Sequence, residues 1–299
     1  MAAIGNFDGV HRGHKFLIEQ TIAFADALGA EPGVVVFDPH PRRHFRPDDP
    51  PFLLTTPEDR AALIKEAGAP NVMTVTFDGE TAAMAAEDFV GRILIDGFGL
   101  SGVITGSDFR FGAGRSGDVL MLNDLCAARG VEARIAELLS DGPTSDPYGD
   151  KVSSSGVREA IHHGDMDVAA GMLGRPWSVA GFVASGQKLG RQIGFPTANL
   201  TLGALIEPRR GVYVVDVEIA GAFHHGVANF GRRPTVGADA PLLETHVFDF
   251  EGDLYGQEIR VLFKEFLRDE QKFDGIDALK TQIAKDSADA RQRHERARG

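Results

Sequence analysis

From Met1 to about Met172 the chain alternates short β-branched runs with stretches of helical period. Val34-Val35-Val36-Phe37 and Gly102-Val103-Ile104-Thr105 are apolar on successive residues, which suits strands buried on both faces. Leu17, Ile22, Ala25 and Leu28 trace one face of a helix ended by Gly29. Thr56-Pro57-Glu58-Asp59 opens another, with a capping hydroxyl and Pro at the first helical position. Asp118 to Arg129 predicts a third helix, closed by Gly130. The alternation predicts an α/β domain in which helices cover a parallel sheet. Pro39 to Pro51 reads as a long polar loop.

After Trp177 the rhythm changes. Val212, Val214, Asp216 and Glu218 alternate along one segment, and Ile259, Val261 and Phe263 along another, with glycine-rich turns between them. This period of two predicts antiparallel β structure. From Asp274 a helical spacing returns through Leu279 and Ile283 into a charged tail. The expectation is a small barrel or sandwich, taken forward as an antiparallel β-barrel, followed by a terminal helix. The domains are then 1–172 and 173–299, divided within Gly171 to Pro176. A length of 299 residues, about twice the ~150 usual for one domain, agrees with two cores. Met1-Ala2-Ala3-Ile4 leaves a short lead for a first strand, so an apolar extension upstream is expected to raise the melting temperature of that domain.

Composition narrows the functions. Against 31 Lys and Arg stand 43 acidic residues, a formal charge of −12, which opposes binding to nucleic acid or to anionic lipid. No apolar run approaches membrane-spanning length and the start lacks a signal-like core, so a soluble cytoplasmic protein is expected. Self-association is left open. The single Cys126 sits at helical apolar spacing and reads as packing.

Candidate chemistry falls on both sides of the boundary. Gly5-Asn6-Phe7-Asp8-Gly9-Val10-His11-Arg12-Gly13-His14 lies at a strand-to-helix turn, where unpaired backbone N–H groups and a partial positive charge attract phosphate. Two imidazoles at that place favour phosphate chemistry over plain capping, and no third and fourth ligands stand nearby for zinc. Asp38-Pro39-His40-Pro41, Gly106-Ser107-Asp108-Phe109-Arg110-Phe111-Gly112 and Ser153-Ser154-Ser155-Gly156-Val157-Arg158 are placed to converge on the same sheet edge.

In this order the four segments resemble the FMN adenylyltransferase module of the bacterial bifunctional riboflavin kinase/FAD synthetase family, a Rossmann-like nucleotidyltransferase related to the HxGH adenylyltransferases. The resemblance implies that Gly5, Phe7, Asp8, His11, His14, Asp108, Ser155 and Arg158 form the nucleotide site. His11 and His14 would be catalytic, by neutralising the transition state, and Phe109 and Phe111 would approach the flavin. Ser155 stands where the family commonly has Thr, which keeps the hydroxyl.

In the second half, Gly181 to Gly186 and Lys188-Leu189-Gly190-Arg191-Gln192-Ile193-Gly194-Phe195-Pro196-Thr197-Ala198-Asn199 bring glycines, cations and short oxygen-bearing side chains together without forming a Walker A loop. This run resembles riboflavin kinase, as do Asn229 to Thr235, Glu244-Thr245-His246, Asp253 to Gly256 and Leu267 to Glu270. The likeness implies that Gly186, Gly190, Arg191 and Thr197 hold ATP phosphates, that Thr197 and Asn199 bind Mg²⁺, that Glu244 is the base, and that Arg268 lies on the flavin side. Riboflavin, FMN and ATP are then the small-molecule partners, with FMN and FAD as products. Two alternatives remain at this point: an adenylyltransferase for another phosphate acceptor, and a flavin-binding module without activity. Each half carries its own phosphate site, so FMN is expected to pass between them by free diffusion.

Overall fold

The computed structural model describes residues 1–136, 152–184, 194–231 and 241–296. The chain forms two compact units, Met1–Pro50 with Thr55–Ser153, and Pro51–Leu54 with Ser154–Gly299.

The first unit is built on β1 (Ala2–Ile4), β2 (Gly33–Asp38), β3 (Asn71–Thr76), β4 (Gly102–Thr105) and β5 (Glu132–Ile135). Their order is β3-β2-β1-β4-β5, with every pair parallel. Successive apolar residues serve two cores, as their unbroken runs require. Ala2, Ile4, Val35, Phe37 and Val103 join Phe89, Leu94 and Leu122 on one face. Met1, Ala3, Val34, Val36 and Ile104 join Ile18, Phe24 and Ile64 on the other. Each fully buried aliphatic or aromatic side chain contributes about 1.5–3 kcal/mol.

Local signals fix the helices. Helix Arg12–Leu28 ends at Gly29, whose φ of 61° a glycine adopts without strain. Helix Pro57–Glu66 begins where the Thr56 hydroxyl accepts the Asp59 N–H at 3.1 Å. The Asp118 carboxylate accepts the Leu120 and Met121 N–H groups to start helix Val119–Ala127, and those bonds, the Met121 one foremost, hold its pKa low. Cys126 is buried on that helix, its thiol pushed up to about 11 by desolvation. The span read as a loop from Pro39 to Pro51 contains a five-residue helix, Pro41–Phe45, with Pro at its start and His40 Nδ1 accepting the Arg42 N–H.

The second unit holds β6 (Ser178–Phe182), β7 (Ala198–Leu200), β8 (Gly211–Ile219), β9 (Ala222–Gly231), β10 (Leu242–Val247) and β11 (Glu258–Asp269). Their order is β6-β11-β8-β9-β10-β7, all pairs antiparallel. An Ala184–Asn199 bridge joins the two ends of that order into a nearly closed barrel. Tyr213 and Trp177 pack edge-on and tilted against Phe263, with ring centroids 5.0 and 4.9 Å away. On the alternate side of β8, Val212 and Val214 cluster with Val227, Phe248 and Ala290. Ala290 belongs to the C-terminal helix Ile276–Arg296, which is also pinned by Arg268–Asp286, Arg291–Asp249 and Arg293–Glu265 ion pairs.

Helices Ser154–His163 and Met166–Leu173 group with the barrel by compactness. So does the strap Pro51–Leu54, where Leu53 exchanges backbone bonds with Ala204 and Ile206 and the Leu54 carbonyl accepts from Trp177 Nε1 at 3.0 Å.

Candidate active sites

In the first unit the strand order reverses at β1, between β2 and β4, so the loops leaving β1 and β4 open at the carboxyl edge where parallel sheets take ligands. The β1 loop is strained. Phe7 and Val10 adopt φ of 50° and 40°, costly for side chains of their kind and costlier for the β-branched valine. Both are fully buried, and the packing of these side chains holds the backbone in that conformation. Asp8, also buried, accepts from the Thr55 N–H and hydroxyl at 3.2 and 3.3 Å, while Gly9 N–H donates to Thr55 Oγ1 at 3.1 Å. Arg60 lies beneath the loop, 5% exposed, and donates to the carbonyls of Asn6 and Phe37, both at 3.2 Å. Burial lowers its pKa against the opposing pull of Asp38 and Asp8.

This scaffold delivers the two imidazoles to the start of helix Arg12–Leu28. His11 is the N-cap, its Nδ1 accepting the His14 N–H at 3.2 Å. The two rings stack at 3.7 Å and 15°, and His14 also lies 4.8 Å from the Phe7 ring. A Cβ on Gly13 would meet the His11 ring at 3.2 Å, so glycine permits the close approach. Burial first, then neighbouring His11, press the His14 pKa well below the usual histidine value. His14 Nδ1 is buried with no hydrogen-bond partner. Imidazoles at a helix N-terminus can donate to anionic oxygens.

The β4 loop presents Asp108, exposed, and Phe109, partly exposed and stacked 5.6 Å from Phe111. Phe111 itself is 6% exposed and part of the core, paired through the backbone with Gly117. Of the two aromatics, Phe109 is the one with surface to offer. Ser155 and Arg158 lie on helix Ser154–His163 and are grouped with the second unit. Ser155 is exposed, and Arg158 Nε donates to the Phe52 carbonyl at 2.8 Å.

In the second unit the register places Glu244 of β10 directly opposite Asn199 of β7 on one side and Asn229 of β9 on the other. The three side chains therefore share one row and one face of the barrel. Asn199 is 4% exposed, and its Oδ1 has no hydrogen-bond partner. An orphaned buried carbonyl-type oxygen beside a carboxylate suits a hard cation, which takes oxygen ligands. Thr197 immediately precedes that strand, two residues before Asn199. His246 Nδ1 lies 2.8 Å from the Pro196 carbonyl and its ring is edge-on to Phe195, so it tethers the segment leading to Thr197. Gly186, Gly190 and Arg191 lie outside the described residues. Arg268 is engaged with the C-terminal helix, Nε and Nη2 donating to the two Asp286 oxygens at 2.9 and 2.6 Å.

Residue reading passed over Thr55, Arg60 and His246 as supports and gave Asn229 no role of its own. Arg60 carried a signal, since it lies four residues before the core residue Ile64 on the same helix.

Comparison with known proteins bears on both centres. Residues 1–155 match the FAD synthetase family and residues 173–294 the riboflavin kinase family. A bifunctional riboflavin kinase/FMN adenylyltransferase of Pseudomonas fluorescens is 42% identical over 97% of this chain and 92% of its own length. The chain belongs to the bifunctional riboflavin kinase/FMN adenylyltransferase family. Another member, from Escherichia coli K12, is 38% identical over 97% of this chain and 91% of its own length. A crystal structure from Streptococcus pneumoniae, described as a macrolide-efflux protein, aligns with a TM-score of 0.82 and 29% identity, covering 95% of this chain and 91% of that one. Among the described residues here, no helix is long and apolar enough to cross a membrane. The family's two activities, riboflavin kinase and FMN adenylyltransferase, correspond to the barrel and the parallel-sheet halves of this chain.

Proposed function

We propose that the barrel transfers the γ-phosphoryl group of ATP to riboflavin, giving FMN and ADP, and that the parallel-sheet half joins FMN to the adenylyl group of a second ATP, giving FAD and pyrophosphate. What carries the reading is the family likeness across nearly the whole chain, together with a separate polar constellation in each matched half.

In the kinase step a ribityl hydroxyl is a weak nucleophile. Glu244 is assigned as the base that takes its proton while the oxygen attacks the γ-phosphorus. Asn199 and Thr197 would hold Mg²⁺ with the ATP phosphates, and the unsatisfied Asn199 oxygen is what supports that assignment. The cation supplies charge neutralisation of the transferring group. Asn229, in the same row, positions Glu244. Gly186, Gly190 and Arg191 are assigned to the phosphates by family likeness.

In the adenylyl step the attacking group, an FMN phosphate oxygen, is already an anion, so little base help is needed. Charge neutralisation and alignment are the demand. His11, His14 and the N–H groups of their helix start are assigned to the ATP phosphates, with Gly5, Phe7 and Asp8 shaping the loop that presents them. Phe109 and Asp108 are assigned to the flavin and nucleotide side, and Ser155 and Arg158 to the nucleotide by family likeness.

Incubation with riboflavin, ATP and Mg²⁺ followed by chromatography tests the proposal. FMN and FAD are the expected products. FMN alone would leave only the kinase, and neither would favour a flavin-binding module.

A further inference from the structure

A third group of polar residues lies on the barrel and shares no residue with either proposed ATP site. Asp216 on β8 is in register with His225 on β9, and the last turn of the C-terminal helix adds His294. One potential ligand atom from each lies within 4.8 Å of the other two. His225 Nδ1 stands 2.8 Å from Asp216 Oδ1, and His294 Nδ1 stands 3.7 Å from the same oxygen. We propose that Asp216, His225 and His294 form a binding site for a transition-metal dication of the zinc class, tying the C-terminal helix to strands β8 and β9.

The hydrogen-bond pattern around His294 points to a cation. Its Nε2 faces the Gly226 carbonyl at 3.5 Å. A carbonyl cannot donate, so that contact is made by the tautomer with its hydrogen on Nε2, which turns the Nδ1 lone pair toward the Asp216 oxygen. Two acceptors then face each other across 3.7 Å, and a positive charge between them resolves the conflict. A metal ion takes neutral imidazoles, and a backbone carbonyl on the second nitrogen is a common support for a metal-bound histidine.

The donor set, two imidazole nitrogens and one carboxylate oxygen, suits zinc and its neighbours rather than Mg²⁺. Metal–ligand lengths of about 2.0–2.2 Å put tetrahedral ligands roughly 3.3–3.6 Å apart, between the two separations seen here. Lys264 Nζ is 3.7 Å from Asp216 Oδ2, so its pairing uses the carboxylate oxygen that the metal would leave. The rings of His225 and His294 are stacked at 4.0 Å and 25°. Convergence on one ion requires the His225 ring to turn out of that stack, and its side chain, 36% exposed, is on the solvent side of the group. His294, 7% exposed, is the fixed member.

The test uses the full chain, stripped with a chelator and held in excess Mg²⁺ so that oxygen-rich sites do not take up the added ion. Zn²⁺ is titrated by calorimetry, and melting is followed with and without it. One zinc per chain and a zinc-dependent rise in Tm are expected. His225→Ala should weaken that binding by at least about tenfold and remove the rise, while Asp216→Asn, which keeps side-chain shape, should do the same. His224→Ala, one residue away on the strand, should retain both. Absence of zinc binding in the unaltered chain, or binding undiminished in His225→Ala and Asp216→Asn, would overturn the site and leave the pair of histidines as a packed contact.

Discussion

The two halves solve the same problem, holding a polyphosphate near an oxygen nucleophile, with opposite kinds of support. In the parallel-sheet half the polar groups sit on a loop beyond β1, and strain at Phe7 and Val10 is held by buried side chains, an Asp8–Thr55 contact and the Arg60 guanidinium. In the barrel the groups sit on the strands, and ladder register alone sets Asn199, Glu244 and Asn229 in a row. A loop can thread two imidazoles into a helix start at the cost of a dedicated scaffold. A strand needs no such scaffold but offers only every second residue.

The sharpest way to break this division is a crossed pair of variants. Glu244→Gln should lower FMN formation from riboflavin by about 10²–10⁴-fold while FAD formation from supplied FMN continues. His14→Ala should lower FAD formation by about 10²–10³-fold while FMN accumulates. Equal loss of both activities in either folded variant would end the two-site assignment.

Arg268 separates support from chemistry within the barrel. Arg268→Met leaves the Asp286 carboxylate, 5% exposed, without its bidentate partner, so the chain should lose about 3 kcal/mol in denaturant unfolding. A raised KM for riboflavin with unchanged stability would instead place Arg268 at the flavin.

Arg60→Met does the corresponding thing beneath the loop. Two hydrogen bonds from a charged donor are lost, for about 2 kcal/mol, and FAD formation should fall with kinase activity retained. If adenylylation is unaffected, the loop does not depend on Arg60 for its shape.

The smallest effect concerns pH. The folded-state pKa of His14 is depressed by burial and by His11, so below the ordinary value of about 6.5 the unfolded chain binds a proton that the native one refuses. Stability therefore rises with pH through that window and falls on acidification, by at most about 1.4 kcal/mol per pH unit from this group. His14→Gln should flatten the slope between pH 5 and 7, values set by about the unperturbed histidine range. An unchanged slope would mean that His14 is not the group responsible.

Much of this was readable before the structure, for local reasons. Thr56 and Asp118 cap helices through bonds to residues two or three positions away, and Gly29 ends a helix through its own φ. The unbroken apolar runs at Val34 and Val103 declared burial on both faces. The supports were harder to read because their partners are distant: Thr55 meets Asp8 across 47 residues and Arg60 meets Asn6 across 54. The Asn199–Glu244–Asn229 row depends on the registers of two strand pairs, which composition does not encode. Phe109 and Phe111 looked alike in sequence, and only the backbone pairing of Phe111 with Gly117 distinguishes the buried ring from the one with surface.

The barrel's closure has a consequence for motion. Strand β8 is laddered on both edges, whereas the seam between β6 and β7 is held by one bridge among the described residues, with the Ala184 N–H on the Asn199 carbonyl at 2.9 Å. Parting that bridge gives up a single ladder bond, while opening beside β8 gives up many. In deuterated solvent the Ala184 amide should therefore exchange well ahead of the amides of Val214 and Val215. Asn199, the residue proposed to hold Mg²⁺, thus has one edge on the weak seam and the other laddered to Glu244 of β10.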